Sequence, residues 1–216
     1  MNVTEAVNRR KSIRAFLPEP VSDEQIAELL TTASRAPSGG NVQPWRIYVL
    51  NGAAMQRFRT FIAERPPGPP AYDIYPPKLP EPYRSSRFKI GEDMYATIGI
   101  EREDKAGRLA QFARNLDFFG APAALFCFID RIMGPPQWSD LGMFLQTFML
   151  LAQEAGIDTC PQEAWAVHEP AVSEFVGAPD EQRIFCGMAI GHADWDHPIN
   201  SLHSEREPLE AFATFV

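Results

Sequence analysis

Apolar residues recur at helical spacing along much of the chain. Val3, Ala6 and Val7 share one side of a first helix that starts at Asn2, with Glu5 in the reciprocal capping position. Ser22 with Gln25 three residues on repeats that start signal, and Ile26, Leu29, Leu30 and Ala33 carry the face of a second helix that the Pro37-Ser38-Gly39-Gly40 run ends. Met55, Phe58, Phe61 and Ile62 predict a third helix, and Ala106, Leu109, Ala113 and Leu116 another, stopped near Gly120-Ala121-Pro122. The stretch 141–152 is apolar almost all round and is expected to be covered on every side, with a second copy of the chain as the favoured cover. Residues 46–50 (RIYVL) read as a strand, 123–129 (AALFCFI) form a continuous apolar run suited to a strand buried on both faces, and 183–190 (RIFCGMAI) read as another inner strand.

One segment breaks this regularity. From Pro66 to Pro82 (PPGPPAYDIYPPKLPEP) each proline removes a backbone donor and fixes φ, so a stiff loop is expected. Its aromatic residues make it a candidate lid or pocket wall as much as a surface linker. The whole chain, 1–216, is expected to form one domain, with a proline-rich loop insert at about 65–90 and a tail at about 197–216 packing on a partner subunit.

Charge and cysteine content narrow the function. A formal net charge of -8 argues against nucleic acid or an anionic membrane as the main partner, and any anion bound must meet local arginines. Cys127, Cys160 and Cys186 are isolated and set in apolar sequence, which offers no disulfide framework and no CxxC pair, so a cytoplasmic setting is expected. The N-terminal stretch lacks the apolar core of a secretory signal, and the 141–152 stretch is too short to span a bilayer.

The chemistry concentrates in RRKSIRAF (9–16), APSGGNVQPWRIYVL (36–50) and CPQEAW (160–165), supported by NSLHSEREPLE (200–210). Singly these are a helix end, a turn and a tail. Together and in this order they resemble the nitroreductase family of FMN (flavin mononucleotide)-dependent enzymes, with Gln43-Pro44-Trp45 in the most specific part, over essentially the whole chain.

The resemblance implies an α/β (α+β) fold of nitroreductase type: a central mixed, mainly antiparallel sheet flanked by helices in an intertwined homodimer. It implies non-covalent FMN at the subunit interface, reduced by NADPH or NADH. Arg10 and Arg206 match the phosphate positions, with Lys11 beside them and Ser12 adding a hydroxyl. Guanidinium forks suit a phosphate that carries about -1.5 to -2 charges. Arg14 matches the basic position near the pyrimidine edge of the flavin, where reduction builds negative charge. Pro37, Ser38, Gly39 and Asn41 match a loop that reaches the partner's flavin. Pro161, Gln162, Glu163 and Ala164 match the segment whose backbone amides meet flavin N5 and O4, and alanine stands where many members have glycine, so a positive φ there would be strained. The implied activity is reduction of a nitroaromatic in two stages, a hydride passing from NAD(P)H to the flavin and then to the acceptor. No side-chain nucleophile is needed. Tyr72, Tyr75, Tyr83 and Phe88 are candidate walls for an electron-poor aromatic substrate.

Three other readings stay open. The same FMN grip could serve quinone or enone reduction, dehalogenation or flavin breakdown, or a binding protein without turnover. His192, Asp194, Asp196 and His197, with His203 and His168, offer metal-ligand chemistry, but no HExxH spacing supports it and no metal is expected.

Overall fold

The computed structural model describes residues 1–216. Helices α1 (Val3–Arg9) and α2 (Asp23–Ala33) start where the sequence places them: Asn2 with Glu5, and Ser22 with Gln25, form reciprocal capping boxes. Strand β1 (Arg46–Asn51) and helix α3 (Gly52–Ala63) follow, then α4 (Tyr83–Thr97), α5 (Lys105–Ala113) and β2 (Ala123–Asp130). The remaining elements are α6 (Pro135–Glu154), β3 (Asp158–Gln162), α7 (Glu169–Val176), β4 (Gln182–Gly191) and the short α8 (Leu209–Phe212).

The strands form one sheet in the order β1-β2-β4-β3, every neighbouring pair antiparallel. Its parallel contribution is a single bridge, Ser12 to Thr159, which lays the segment after α1 along the outer edge of β3. Edge position also explains why β3 tolerates Pro161, whose missing N–H would break an inner ladder.

Alternation along β2 separates two cores. Leu125, Cys127 and Ile129 face α2 and α6, whereas Ala124, Phe126 and Phe128 face α3, α7 and Trp165. Both faces are covered, which is why β2 reads as an unbroken apolar run. Trp165 is fully buried among Phe58, Phe118 and Phe126, with ring centroids 4.8 to 5.4 Å away. Its pyrrole edge abuts the backbone of Gly187, where any Cβ would collide with the indole.

Several expectations are corrected. The loop expected over 65–90 ends at Pro82, and residues 83–97 are the helix α4, which buries none of its side chains. Its weakly amphipathic sequence hides it. Helix α6 begins at Pro135, before the all-apolar stretch, and its own chain buries Leu141, Phe144, Leu145, Phe148, Met149 and Ala152. A second copy is thus not needed to cover most of it; Gly142 and Met143 stay exposed. The face of α5 is not core: Leu109 is 69% and Phe112 57% exposed. The tail divides: residues 198–206 fold back onto their own N-terminal segment, and Phe212 and Phe215 are left exposed. No helix is long and apolar enough to cross a membrane.

Candidate functional site

The basic segment after α1 alternates like a strand. Ile13 and Ala15 are buried and Ser12 and Arg14 point the other way, a pattern held by Ile13 N–H donating to Thr159 O at 3.0 Å. The tail is tied to this segment by Asn200, a buried residue that the sequence did not single out. Its Oδ1 accepts from Arg14 N–H (2.8 Å), and its Nδ2 donates to Ala15 O and Asp194 O (2.8 Å each). All three of these bonds go to backbone.

This clamp closes a cleft of about 530 Å³ lined by Arg10, Lys11, Ser12, Arg14, Asn200 and Arg206, among others. Five residues from the two ends of the chain that were expected to grip one ligand therefore converge. None of the four cations is within 4.0 Å of a carboxylate, although Asp and Glu outnumber Lys and Arg, 28 to 20. Burial and the facing charge of Arg206 push the Arg10 pKa down. Arg206 is braced by Nη1 donating to Ser204 Oγ (2.7 Å) and Glu205 O (2.8 Å), and Arg14 by Nη1 donating to Ser12 O (3.1 Å). Partly desolvated cations that face each other without a counterion are suited to an anion, and the volume is that of a small-molecule pocket.

The parallel bridge carries the cleft onward. Ser12 lies beside Thr159, which brings the basic segment next to Cys160 on β3, and Arg14 and Arg10 both act on the Cys160 thiol, which burial nevertheless pushes up to about 11; beyond Arg14 the chain pairs instead with residues 192–194. Gln162 is buried and donates to Asn115 O (2.9 Å) and Oδ1 (3.0 Å), fixing the end of β3. Ala164 sits in a 3-10 turn, Glu163–His168, with a negative φ, so the strain feared for alanine at this position does not arise. Surrounding protein pushes the Glu163 carboxyl up from its ordinary value.

The Pro37–Asn41 loop lies elsewhere. Within one chain it does not line the arginine cleft; it sits on the start of α6, where buried Asp140 accepts from Ser38 Oγ (2.9 Å) and from Gly39 N–H (3.3 Å). Ser38 Oγ accepts in turn from Gln43 N–H (2.8 Å), and the turn requires φ of 59° at Gly40 and 56° at Asn41. The loop is exposed and pinned by these hydrogen bonds, apart from its own chain's cations. Asp140 is another residue the sequence did not disclose, since it stands inside an apolar helix.

The four aromatic candidates do not form one wall. Tyr72 turns inward: a bulge in β4 leaves Phe185 without a partner on β2, and the Tyr72 hydroxyl donates to the Phe185 carbonyl. Burial pushes the Tyr72 hydroxyl pKa up, and its ring meets Trp138 edge-on at 5.2 Å. Tyr75 stacks with Arg87 (4.0 Å), Phe88 lines a separate cleft, and Tyr83 is exposed. The histidines are also dispersed. His192 Nδ1 is 3.1 Å from Gly156 O, His197 Nδ1 accepts from Ile199 N–H (3.2 Å), and no group of three or more His, Cys, Asp or Glu side chains is placed to share a metal.

Comparison with known proteins follows the same segments. The Nitroreductase family model matches residues 7–192. A 4-nitrobenzoate reductase of Pseudomonas putida is 39% identical over 97% of this chain and 93% of its own length. A nitrobenzene nitroreductase of Ectopseudomonas oleovorans is 36% identical over 99% and 96%. Among solved structures, the FMN and NADPH-dependent nitroreductase NfnB from Sphigopyxis sp. strain HMH superposes with a TM-score of 0.96 at 45% identity, covering 100% of this chain and 99% of that one. The FMN-dependent NfnB from Mycobacterium smegmatis, solved with NADPH, gives 0.92 at 26% identity, covering 100% of both chains.

Proposed function

Since the chain belongs to the nitroreductase family, we propose that it is an FMN-dependent NAD(P)H oxidoreductase acting on nitroaromatic compounds. The observation that carries this reading is the cluster of Arg10, Lys11, Arg14 and Arg206, uncompensated by any carboxylate, at one cleft of an acidic protein.

The residues present fit FMN. Its phosphate needs forked, fixed donors, and Arg10 and Arg206 face each other across the cleft with Ser12 between the basic positions. Arg14 has its backbone locked by Asn200, which keeps its cation at the sheet edge, where it favours negative charge on a neighbouring ring. The Pro161–Ala164 segment continues from there, and Gln162 holds it still through Asn115. When bound, FMN supplies the two-electron chemistry, taking a hydride from NAD(P)H and delivering it to the acceptor.

The active unit in this reading is a homodimer. The support is the Pro37–Asn41 loop, held by Asp140 and not lining its own chain's cleft, together with apolar Leu109, Phe112, Phe212 and Phe215 left on the surface. A loop prepared so rigidly suits a ligand on a second copy. Sedimentation of the purified protein at twice the monomer mass supports this part, and a monomer that still turns over contradicts it.

Turnover itself is tested by stopped-flow absorbance. Anaerobic NADPH or NADH bleaches the yellow protein, and 4-nitrobenzoate or nitrobenzene restores the oxidised spectrum. Bleaching without reoxidation by any nitroaromatic would assign the flavin to another acceptor class.

A further inference from the structure

A second cleft, of about 700 Å³, lies on the other side of α4. Ile90 on that helix lines the arginine cleft, whereas Arg84, Arg87, Phe88 and Gly91 line the second one, so a single helix, about 10–12 Å across, separates the two. Its opposite wall is residues 76–79 of the proline-rich loop.

The cations of this cleft fall into two kinds. Arg108 is committed: both its terminal nitrogens donate to Glu92 (2.6 and 2.9 Å), Nε donates to Glu101 O, and the guanidinium covers the ring of Tyr95 at 4.3 Å. Arg84 is paired with Glu81 at 2.7 Å. Lys78 and Arg87 have no carboxylate within 4.0 Å. Arg87 is held instead on the face of Tyr75, its centre 4.0 Å from the ring centroid, which leaves its N–H edge free. Beside it Phe88 presents a half-exposed ring, with the Arg102 guanidinium over one face at 5.1 Å from the centroid.

Two free cations next to a half-exposed aromatic ring suit a phosphorylated flat ring. The space exceeds what a small aryl carboxylate fills and admits a nucleoside phosphate. We infer that this cleft takes the adenosine 2′-phosphate end of NADPH, with Lys78 and Arg87 on the phosphate and Phe88 against the purine. The inference rests on the oxidoreductase reading and deepens it: a dinucleotide crosses the width of α4, and the chain is selective for NADPH over NADH. No covalent step is involved.

The test uses the FMN-loaded enzyme and the Lys78→Ala/Arg87→Ala variant. The KM for NADPH is expected to rise about tenfold or more, as loss of charge-assisted contacts requires, with kcat and the KM for NADH nearly unchanged. Calorimetry adds a direct probe: the wild type binds adenosine 2′,5′-bisphosphate about tenfold or more tighter than adenosine 5′-monophosphate, and the variant loses that preference. Equal shifts for NADPH and NADH, no shift at all, or a change confined to the KM for 4-nitrobenzoate would overturn the assignment. Should the double variant fail to fold, judged by its flavin content, Lys78→Glu alone on the proline-rich wall serves in its place, and absence of a 2′-phosphate preference in the wild type is itself decisive. An enzyme that neither nucleotide bleaches refutes the oxidoreductase reading, while the two adenosine probes still report on the cleft.

Discussion

Two arginines of this protein, Arg10 and Arg108, are similarly placed in sequence terms, each near a helix and among other charges, and the fold treats them in opposite ways. Arg108 is matched by a bidentate Glu92 and by a backbone carbonyl. Arg10 is half-buried against Arg206 with no carboxylate in reach. Acidic residues are in excess, so the lack of a partner for Arg10 is not a shortage of carboxylates. Charge left unpaired at partial burial costs stability and is retained where a ligand neutralises it.

Substitution breaks the comparison most sharply at the cleft. Each charge-assisted phosphate contact contributes about 1.5–3 kcal/mol, so Arg206→Ala weakens FMN binding about 10- to 100-fold, and the double change with Arg10→Ala further still. Flavin fluorescence titration measures both. Exposed, unpaired Arg57 is the control, and Arg57→Ala leaves the affinity within about twofold. Arg108→Ala lies between these in interest: it uncouples α4 from α5 and lowers the thermal midpoint, yet FMN affinity stays within about twofold because the site is separate. A large loss of FMN affinity there would show that the two arginines do not differ in kind.

A smaller effect carries more diagnostic weight. Without flavin, Arg10 and Arg206 repel, so Arg10→Gln leaves the flavin-free protein as stable or stabilises it by about 0.5 kcal/mol, while FMN binding falls. Calorimetric melting of the two flavin-free proteins checks this. A clear destabilisation would make Arg10 a structural residue.

A comparably small effect lies away from both arginines. Burial pushes the His168 pKa down from its ordinary value of 6.5, and its buried Nδ1 has no partner. Below that value the unfolded chain binds the proton that the folded chain resists, so this residue's contribution is complete above pH 6.5 and is lost as pH falls from there toward the lowered folded pKa. Denaturant unfolding of the wild type and His168→Gln between pH 7.5 and 5 shows a shallower fall in the variant by about 1 kcal/mol or less. Parallel curves would remove His168 from the titration.

How much of this was legible in the sequence depends on where each signal sits. Both capping boxes, the inner strands β2 and β4, and the convergence of Arg10, Lys11, Ser12, Arg14 and Arg206 follow from local pattern and family resemblance. Helix α4 was hidden because Gly91 and charges on several sides deny it an apolar face, and it packs by long-range contacts such as Arg108 with Glu92. Strand β3 was hidden by Pro161, acceptable only because the sheet ends there. Asn200 and Asp140 work through partners 185 and 102 positions away, and no local period announces such residues. The inward turn of Tyr72 was equally unreadable, since it answers a bulge in a strand more than a hundred residues later.

The central claim is that the unpaired arginine cleft exists to hold FMN, and the visible spectrum of the purified protein tests it most directly. The account predicts flavin absorbance that heat denaturation releases as free FMN, with Arg206→Ala releasing it at far lower protein saturation than Arg57→Ala. A chain that shows no flavin and takes none up on reconstitution with FMN would contradict it.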